Sequence, residues 1–298
     1  MPHRGPYVEY ERLVDPARRT AQIWRLVGGV VTIFAVYLTL TQAAFYGIEY
    51  ALPAAEHNAF LFDLSTGATP AAMYALLLSF GFLTVGVTIT AVLWHRRSIQ
   101  SVLGNYRRFW AQFWRVFGAL AVLNCVFVVG LPWDASFVPN VPLAKWLVLL
   151  PFSVIAVLVQ VSAEEVVFRG YLQQQLAARF RTPLVWAMLP SALFGLGHYM
   201  PAEAGENAVL IALWAVAFGV LLADITARAG SLGPAIALHL ANNITAILIV
   251  SQPDQLSGLS LYLTPFSMAD PGAMRMWLPV DFAAMIVSWL VARIMIRR

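Results

Sequence analysis

The stretch WLVLLPFSVIAVLVQVSAEEVVFR, residues 146–169, decides the fold, because an apolar run long enough to cross a bilayer leads directly into two carboxylates and a guanidinium. A transmembrane helix needs about 20 mainly apolar residues. The chain contains eight such runs, each ended by charge, glycine or proline. They cover residues 24–46, 71–94, 112–131, 144–166, 184–200, 208–227, 232–250 and 279–296. The sequence therefore predicts an all-α, polytopic membrane helix bundle.

The composition excludes an ordinary soluble domain. Of the 298 residues, 60% are hydrophobic and 11% are charged, and the mean hydropathy is +0.72, far from typical globular usage. No linker, low-complexity run or long-period repeat divides the chain. We therefore expect a cytoplasmic N-terminal arm over residues 1–25 and a single transmembrane bundle over 26–298, with its motif core at about 144–250. The single cysteine, Cys125, excludes an internal disulfide and a thiolate metal cluster.

The positions of Lys and Arg predict the orientation, because positively charged loops are retained on the cytoplasmic side. With the N-terminus inside, 17 of the 19 Lys and Arg residues fall on cytoplasmic segments or helix ends, and only Lys145 and Arg275 fall outside. Eight spans with both termini cytoplasmic fit this distribution, in an integral, multi-pass protein of the cell's inner (cytoplasmic) membrane. The net charge of +4 then reflects topology and contact with anionic lipid. Membrane lipid is an expected partner, and nucleic acid is not, because no soluble basic surface is available.

The charged residues that follow the fourth run lie on the same helix. This run continues with no Pro and one Gly, so that one helix is expected to extend past the bilayer to Arg179 or Arg181. Glu164 then lies inside the membrane, where a charge costs about 2.5–3.5 kcal/mol and is usually paired or lines a cavity. Glu165 and Arg169 are four residues apart, the favoured helical pairing, and we interpret them as a structural ion pair. Glu164 has no partner at that spacing and needs one from another helix.

Two further runs carry polar groups at a matching depth. Glu164 lies about 24 Å from the end of its helix and His198 about 22 Å from the start of the next, so an antiparallel hairpin sets both at similar depth. In the seventh run, His239 and Asn243 are four residues apart and face the same way. We expect these side chains to converge on one cavity, where the carboxylate takes a proton from water, a histidine holds the water or a metal, and the His/Asn pair donates to an oxyanion. The alternatives are a carbonyl hydrogen bond for His198 and a helix-packing hydrogen bond for Asn243.

Three motifs carry a resemblance to a known family. EEVVFR (164–169), FGLGH (194–198) and HLANN (239–243) resemble the EExxxR, FxxxH and HxxxN motifs of the CAAX protease and bacteriocin-processing intramembrane peptidases, relatives of the CAAX prenyl endopeptidase Rce. Each motif alone is weak, but the three in this order, on the fourth, fifth and seventh of eight helices, form a specific signal.

The resemblance implies a hydrolase, an intramembrane endopeptidase that acts on a membrane-associated or lipidated protein or peptide entering from the membrane or the cytoplasmic side. Its implied catalytic residues are Glu164 and His198, which activate water, and His239 and Asn243, which stabilise the oxyanion, with Glu165 and Arg169 in support. The family is also described as metalloproteases, which makes Glu164, His198 and His239 candidate ligands for a divalent metal ion such as zinc. The zinc signature HExxH is absent, and the sequence leaves both mechanisms open.

Two other classes of protein are compatible with intramembrane Glu and His residues. One is a secondary transporter or proton-conducting protein, although the first three spans show no counterpart of the polar set, as internal repeats would require. The other is a noncatalytic scaffold, which the presence of all four catalytic residues argues against. His57 and His95 lie at loop positions without ligand partners, and the sequence assigns them no site.

Overall fold

The computed structural model describes residues 5–130 and 136–297. The helices are α1 (Val8–Arg18), α2 (Ile23–Ala51), α3 (Ala54–Thr66), α4 (Pro70–Ser79), α5 (Gly81–Leu93), α6 (Ile99–Leu103), α7 (Tyr106–Gly130), α8 (Leu143–Glu165), α9 (Gln173–Arg179), α10 (Leu189–Leu196), α11 (Pro201–Ala204), α12 (Ala208–Ala229), α13 (Gly233–Asn243) and α14 (Pro271–Ile296). π-Helical segments occupy Val166–Leu172, Leu184–Met188 and Ile244–Ile249, and a 3₁₀ turn occupies Gly205–Asn207. The strands are β1 (Val138–Pro139), β2 (Val250–Ser251) and β3 (Tyr262–Leu263).

The predicted all-α, polytopic membrane helix bundle is confirmed. Within the described residues, six helical stretches are long and apolar enough to cross a membrane, and two shorter ones are apolar. The long stretches are Ile23–Ala51, Pro70–Leu93, Tyr106–Gly130, Leu143–Arg179, Pro201–Ala229 and Pro271–Ile296, and the shorter ones are Leu184–Leu196 and Gly233–Ile249. Each predicted run coincides with one of these stretches. The number of spans and the cytoplasmic placement of both termini remain predictions, and residues 1–4, 131–135 and 298 of the predicted segments lie outside the described residues.

The helix that begins at Leu143 does not stop at the charged motif. It continues through the π-helical segment into α9 and ends at Arg179, a stretch of 37 residues. At about 1.5 Å per residue it is longer than the hydrocarbon core of about 30 Å. The expected continuation of the helix to Arg179 is therefore confirmed, its extension beyond the bilayer remains a prediction, and Glu164 lies well inside the helix.

The other motif-bearing helices lie at the centre of the bundle. Every residue of α13 from Gly233 to Ala241 is buried, as expected for a helix that is apolar on all sides. α10 packs closely on α12, because a Cβ atom at Gly195 would lie 2.7 Å from the carbonyl oxygen of Ala212, and one at Gly219 would lie 2.9 Å from Cβ of Ser191. Glycine is thus required where these helices cross.

A small sheet joins the ends of α8 and α13 that lie away from α9. Its strand order is β1-β3-β2, with β1 antiparallel and β2 parallel to β3. β1 precedes α8 and β2 follows the π-helical segment after α13. The side-chain amide of Asn140 adds hydrogen bonds to the carbonyl oxygens of Ser257, at 2.6 Å, and Ser260, at 3.0 Å. The sheet therefore connects the two helices that carry the Glu and His motifs.

The N-terminal arm docks on the bundle through α1. Tyr10, Leu13 and Val14 of this helix are buried, and the hydroxyl of Tyr7 donates a hydrogen bond to Asp224 Oδ1 of α12 at 2.8 Å. Burial, together with the hydrogen bond to Asp224, raises the pKa of the Tyr7 hydroxyl above its usual value. The sequence did not predict this contact, because the arm has too few apolar residues to form a span.

Candidate active site

Glu165 makes the predicted ion pair and a second contact that the sequence did not predict. Its Oε1 accepts a hydrogen bond from Nη1 of Arg169 at 2.9 Å, with both side chains almost completely buried. The same oxygen lies 2.8 Å from Nδ1 of His239 on α13. Nη2 of Arg169 also donates to the carbonyl oxygen of Gly219 at 3.3 Å. The pair therefore joins α8, α12 and α13 and also orients the His239 ring.

The second nitrogen of His239 faces Glu164. Nε2 of His239 lies 3.5 Å from Oε2 of Glu164, and this buried oxygen has no hydrogen-bond partner among the described residues. Phe194 and Phe218 contact the imidazole edge to face, with ring centroids 6.0 and 5.3 Å from it. The imidazole is thus held between a carboxylate on each nitrogen and apolar walls, an arrangement that fixes its orientation.

Asn243 pairs with Gln160, a residue that the sequence analysis did not single out. Nδ2 of Asn243 donates to Oε1 of Gln160 at 3.0 Å, and Oδ1 of Asn243 accepts from Nδ2 of Asn242 at 3.1 Å. Gln160 precedes Glu164 by one helical turn, just as His239 precedes Asn243. The facing pairs 160/243 and 164/239 therefore form two successive rungs between antiparallel helices. The spacing of four residues on α8 was the available signal for Gln160.

His198 lies at the end of α10 and is half-buried. Its Nδ1 lies 2.9 Å from the carbonyl oxygen of Phe194. A carbonyl only accepts, so Nδ1 carries a proton, and Nε2 is the nitrogen left to contact water or substrate. The ring centroid of Phe194 is 4.5 Å from His198 and 6.0 Å from His239. Both histidines thus lie beside one phenyl ring, while no direct hydrogen bond joins His198 to Glu164 within the described chain.

All three motif helices contain π-helical turns. One begins directly after Glu165 and another directly after Asn243, while the third, Leu184–Met188, leads into α10. π-Helical turns inside α-helices occur frequently at functional sites, where the extra residue per turn changes the direction of the side chains. Two of the three adjoin the candidate residues Glu165 and Asn243, whereas the third ends at Met188, well before His198.

The candidate metal ligands do not form a three-ligand site. Among the described residues, no group of three or more His, Cys, Asp or Glu side chains is arranged to hold a metal ion. Glu164 and His239 are close together, but no hydrogen bond or ion pair joins His198 to either of them among the described residues. These side chains therefore do not fit a protein-bound zinc site as they stand.

His95, to which the sequence assigned no site, follows α5 and lies in a buried network. This network contacts the end of the long helix Leu143–Arg179 that lies beyond Glu164. Nδ1 of His95 lies 3.1 Å from Oγ1 of Thr20 and its Nε2 lies 2.9 Å from the hydroxyl of Tyr171. Burial, reinforced by the charge of Arg97, lowers the pKa of His95 to about 4. Nη2 of Arg97 donates to Oε1 of Gln174 at 2.8 Å. This network fastens the loop after α5 to the helix that carries Glu164.

The fold and the buried Glu, His and Asn side chains define a multi-pass membrane protein with an internal polar site. Residues 145–245 match the family model described as Rce1-like, type II CAAX prenyl endopeptidase Rce1-like. This match includes all three sequence motifs and confirms the resemblance predicted from them. Residues 145–245 are thus similar to a domain of a protease family, and they lie within a membrane helix bundle.

A relative of similar length occurs in Bacillus subtilis (strain 168). The chain is 22% identical over 251 residues to "Uncharacterized protein YyaK", an alignment that covers 82% of this chain and 84% of that protein. No solved structure matches the chain. The similarity therefore extends well beyond the motif region.

Proposed function

We propose that this protein is an intramembrane endopeptidase of the CAAX protease type, which hydrolyses a peptide bond of a membrane-associated or lipidated substrate. One observation carries the proposal: the buried Oε2 of Glu164 has no hydrogen-bond partner among the described residues and lies 3.5 Å from Nε2 of an oriented histidine. A buried carboxylate oxygen without a partner is costly and marks a site where water or substrate binds.

Glu164 is the proposed general base. It takes a proton from water while the water oxygen bonds to the carbonyl carbon of the substrate, and it later gives that proton to the leaving amine as the C–N bond breaks. The unprotonated Nε2 of His198 accepts the second hydrogen of the water and holds it in position. In this mechanism the water molecule lies beside Phe194, between Glu164 and His198.

His239 and Asn243 are the proposed oxyanion donors. Because Nδ1–H of His239 is directed to Glu165, Nε2 donates only from the protonated ring, which also compensates Glu164. The net charge of the site is then zero, because the carboxylates of Glu164 and Glu165 are balanced by Arg169 and a protonated His239. A dry interior favours such a balance. The amide of Asn243 is held through both of its polar atoms and keeps one N–H free for the oxyanion.

The short α10 region supports access from the membrane. The helical stretch Leu184–Leu196 contains 13 residues, a length of about 20 Å, whereas the hydrocarbon core is about 30 Å thick. His198 lies two residues beyond its end, where the helix no longer separates the site from lipid. Leu189, Leu193 and Leu196 are exposed on its surface, which suits contact with an apolar substrate.

The proposal is tested by comparing membrane proteomes of cells that contain the wild type, Glu164→Gln or the control Glu206→Gln at equal abundance. Glu206 is exposed outside the site. We expect specific cleavage products with the wild type and the control and uncleaved precursors with Glu164→Gln. Identical fragment profiles in all three would contradict the proposal. If, of these three proteins, only the wild type dissipated a pH gradient across proteoliposomes, the proton-conducting alternative would be favoured.

A further inference from the structure

A basic cavity lies away from the candidate active site, where α1, α7, α12 and α14 meet. It has a volume of about 310 Å³ and is lined by Arg108 and Arg115 of α7, Arg228 of α12 and Glu9 of α1. Small-molecule sites have volumes of about 300–1,000 Å³. Three guanidinium groups and one carboxylate give the lining an excess of positive charge, so an anionic ligand is favoured.

Part of this charge is available to a ligand. The carboxylate of Glu9 pairs with Arg108 and, at 3.1 Å, with Arg12. Nε of Arg228 donates to both oxygens of Asp224, at 2.9 and 2.8 Å, and its guanidinium carbon lies 5.4 Å from the ring centroid of Tyr7. Arg115 makes no hydrogen bond or ion pair within the described residues and is exposed. Each guanidinium has five N–H donors, so several remain free for an anion.

The floor of the cavity is held in place by Gln112. Its Oε1 accepts a hydrogen bond from Oγ of Ser231 at 2.6 Å, and its Nε2 donates to the carbonyl oxygen of Ala229 at 3.3 Å. These contacts connect α7 to the turn that precedes α13. Gly230 in that turn has φ of 65° and packs on the backbone of Glu9, which a Cβ atom would approach to 2.7 Å. The cavity is therefore built by packed elements rather than by mobile side chains on an open surface.

Aromatic residues beside the cavity indicate its depth in the membrane. Tyr106, Trp110 and Trp114 are all exposed, at 72%, 36% and 61%, and their rings follow one another at centroid distances of 6.3 Å. Exposed Trp and Tyr collect at the membrane interface. Trp114 is adjacent to Arg115, so the arginines lie at the level of the lipid head groups, with an aromatic stripe on the neighbouring surface for the acyl chains.

We propose that this cavity binds the phosphate of an anionic phospholipid. Guanidinium groups match the geometry of phosphate oxygens and form charge-assisted hydrogen bonds with them, and basic pockets between transmembrane helices bind anionic head groups. A lipid with a choline group is disfavoured, because its cation lies among arginines. Occupancy braces α1 against α7 and α12, and therefore stabilises the folded protein.

Binding is measured on purified protein in detergent by native mass spectrometry and by the rise in Tm. The probes are short-chain phosphatidylglycerol, phosphatidylcholine of the same chain length and inorganic phosphate. We expect saturable binding of phosphatidylglycerol in preference to phosphatidylcholine, with an affinity that falls as salt rises. Arg115→Gln should bind about fivefold more weakly, and Ala111→Phe, which fills the cavity at an exposed position, should lose the site.

The matched control is Arg107→Gln, which removes an exposed arginine on the same helix outside the cavity and should bind like the wild type. Wild-type affinity in both Arg115→Gln and Ala111→Phe would overturn the proposal, as would equal binding of the two lipids. If inorganic phosphate alone gave the full rise in Tm and displaced phosphatidylglycerol, the cavity would be a site for the free anion and the lipid assignment would be wrong.

Discussion

Nδ1 of His239 lies 2.8 Å from Oε1 of Glu165, the same oxygen that accepts a hydrogen bond from Arg169 at 2.9 Å. One carboxylate therefore neutralises an intramembrane arginine and sets the orientation of an imidazole on another helix. The neighbouring Glu164 has a different environment, since no hydrogen bond or ion pair joins it to Arg169 among the described residues and its Oε2 lies 3.5 Å from Nε2 of His239. Removal of Glu165 and removal of Glu164 are thus predicted to have different effects on the amount of folded protein and on activity.

Glu165→Ala should reduce the amount of folded protein. It leaves the guanidinium of Arg169, 1% exposed, without its counter-ion, at a cost of about 3–5 kcal/mol. The double variant with Arg169→Leu should recover part of the abundance but no activity, because His239 still lacks its Nδ1 partner. Yield, Tm in detergent and peptidase activity measured in one preparation test this.

Glu164→Ala serves as the comparison. It should keep abundance and Tm near the wild type while activity disappears, because the His239 ring can release its proton when Glu164 is absent, whereas Arg169 keeps its charge when Glu165 is absent. Normal abundance of Glu165→Ala, or collapse of Glu164→Ala, would reverse the roles assigned to the two residues.

Gln160→Met should lower kcat by about tenfold with little change in KM. In the proposed mechanism Gln160 orients Asn243 without contacting substrate. Its loss should therefore lower kcat by less than the roughly 10²–10³-fold that results from removing an oxyanion donor. The lost hydrogen bond should cost about 1 kcal/mol of stability. The measurement is steady-state kinetics on a cleaved peptide, together with Tm.

The control is Gln175→Met, the same replacement on the same long helix. Gln175 is buried, and neither of its side-chain polar atoms has a hydrogen-bond partner among the described residues. It should therefore retain activity and equal or exceed the wild type in Tm. Equal kcat for the two variants would show that the pair of Gln160 and Asn243 has no role in the reaction.

Stability should fall in acid because of His95. Its pKa is about 4 in the folded protein, against 6.5 for the free side chain. The unfolded chain thus binds more protons between these values, and the contribution, on the order of 2 kcal/mol, is complete above about pH 6.5 and lost as the pH falls towards 4. Tm measured between pH 7 and pH 4.5 should decline less in His95→Gln than in the wild type.

His57→Gln is the control for this experiment, since the His57 side chain makes no recorded contact in the described structure. Its Tm should follow the wild-type pH profile. If His95→Gln declined as steeply as the wild type, the acid sensitivity would arise elsewhere, for example in the Glu165 and Arg169 pair.

Peptidase activity should survive removal of metal ions. The side chains of Glu164, His198 and His239 do not form a three-ligand group, and the proposed mechanism assigns each of them a role in proton transfer or hydrogen bonding. Elemental analysis and assays before and after dialysis against a strong chelator test this. One equivalent of zinc, with activity lost on chelation and restored by zinc alone, would establish the metalloprotease mechanism instead.

The sequence by itself determined where the helices lie and which charges pair along a helix. The length of an apolar run and the spacing of four between Glu165 and Arg169 are properties of one segment, and both were confirmed. The three motifs likewise indicated the resemblance that the match over residues 145–245 confirms, because their residue types and order can be recognised without knowing any distance.

The tertiary structure alone decided how those residues meet. The pairing of Gln160 with Asn243, the two carboxylates on either side of His239, the position of Phe194 beside both histidines and the contact of His95 with Tyr171 all join separate helices. Such contacts depend on the rotation of each helix about its axis and on the position where it crosses its neighbour. In this chain, glycine contacts and π-helical turns change the rotation and the crossing position. Residue spacing along one helix carries no information about these angles, since they arise from packing between helices.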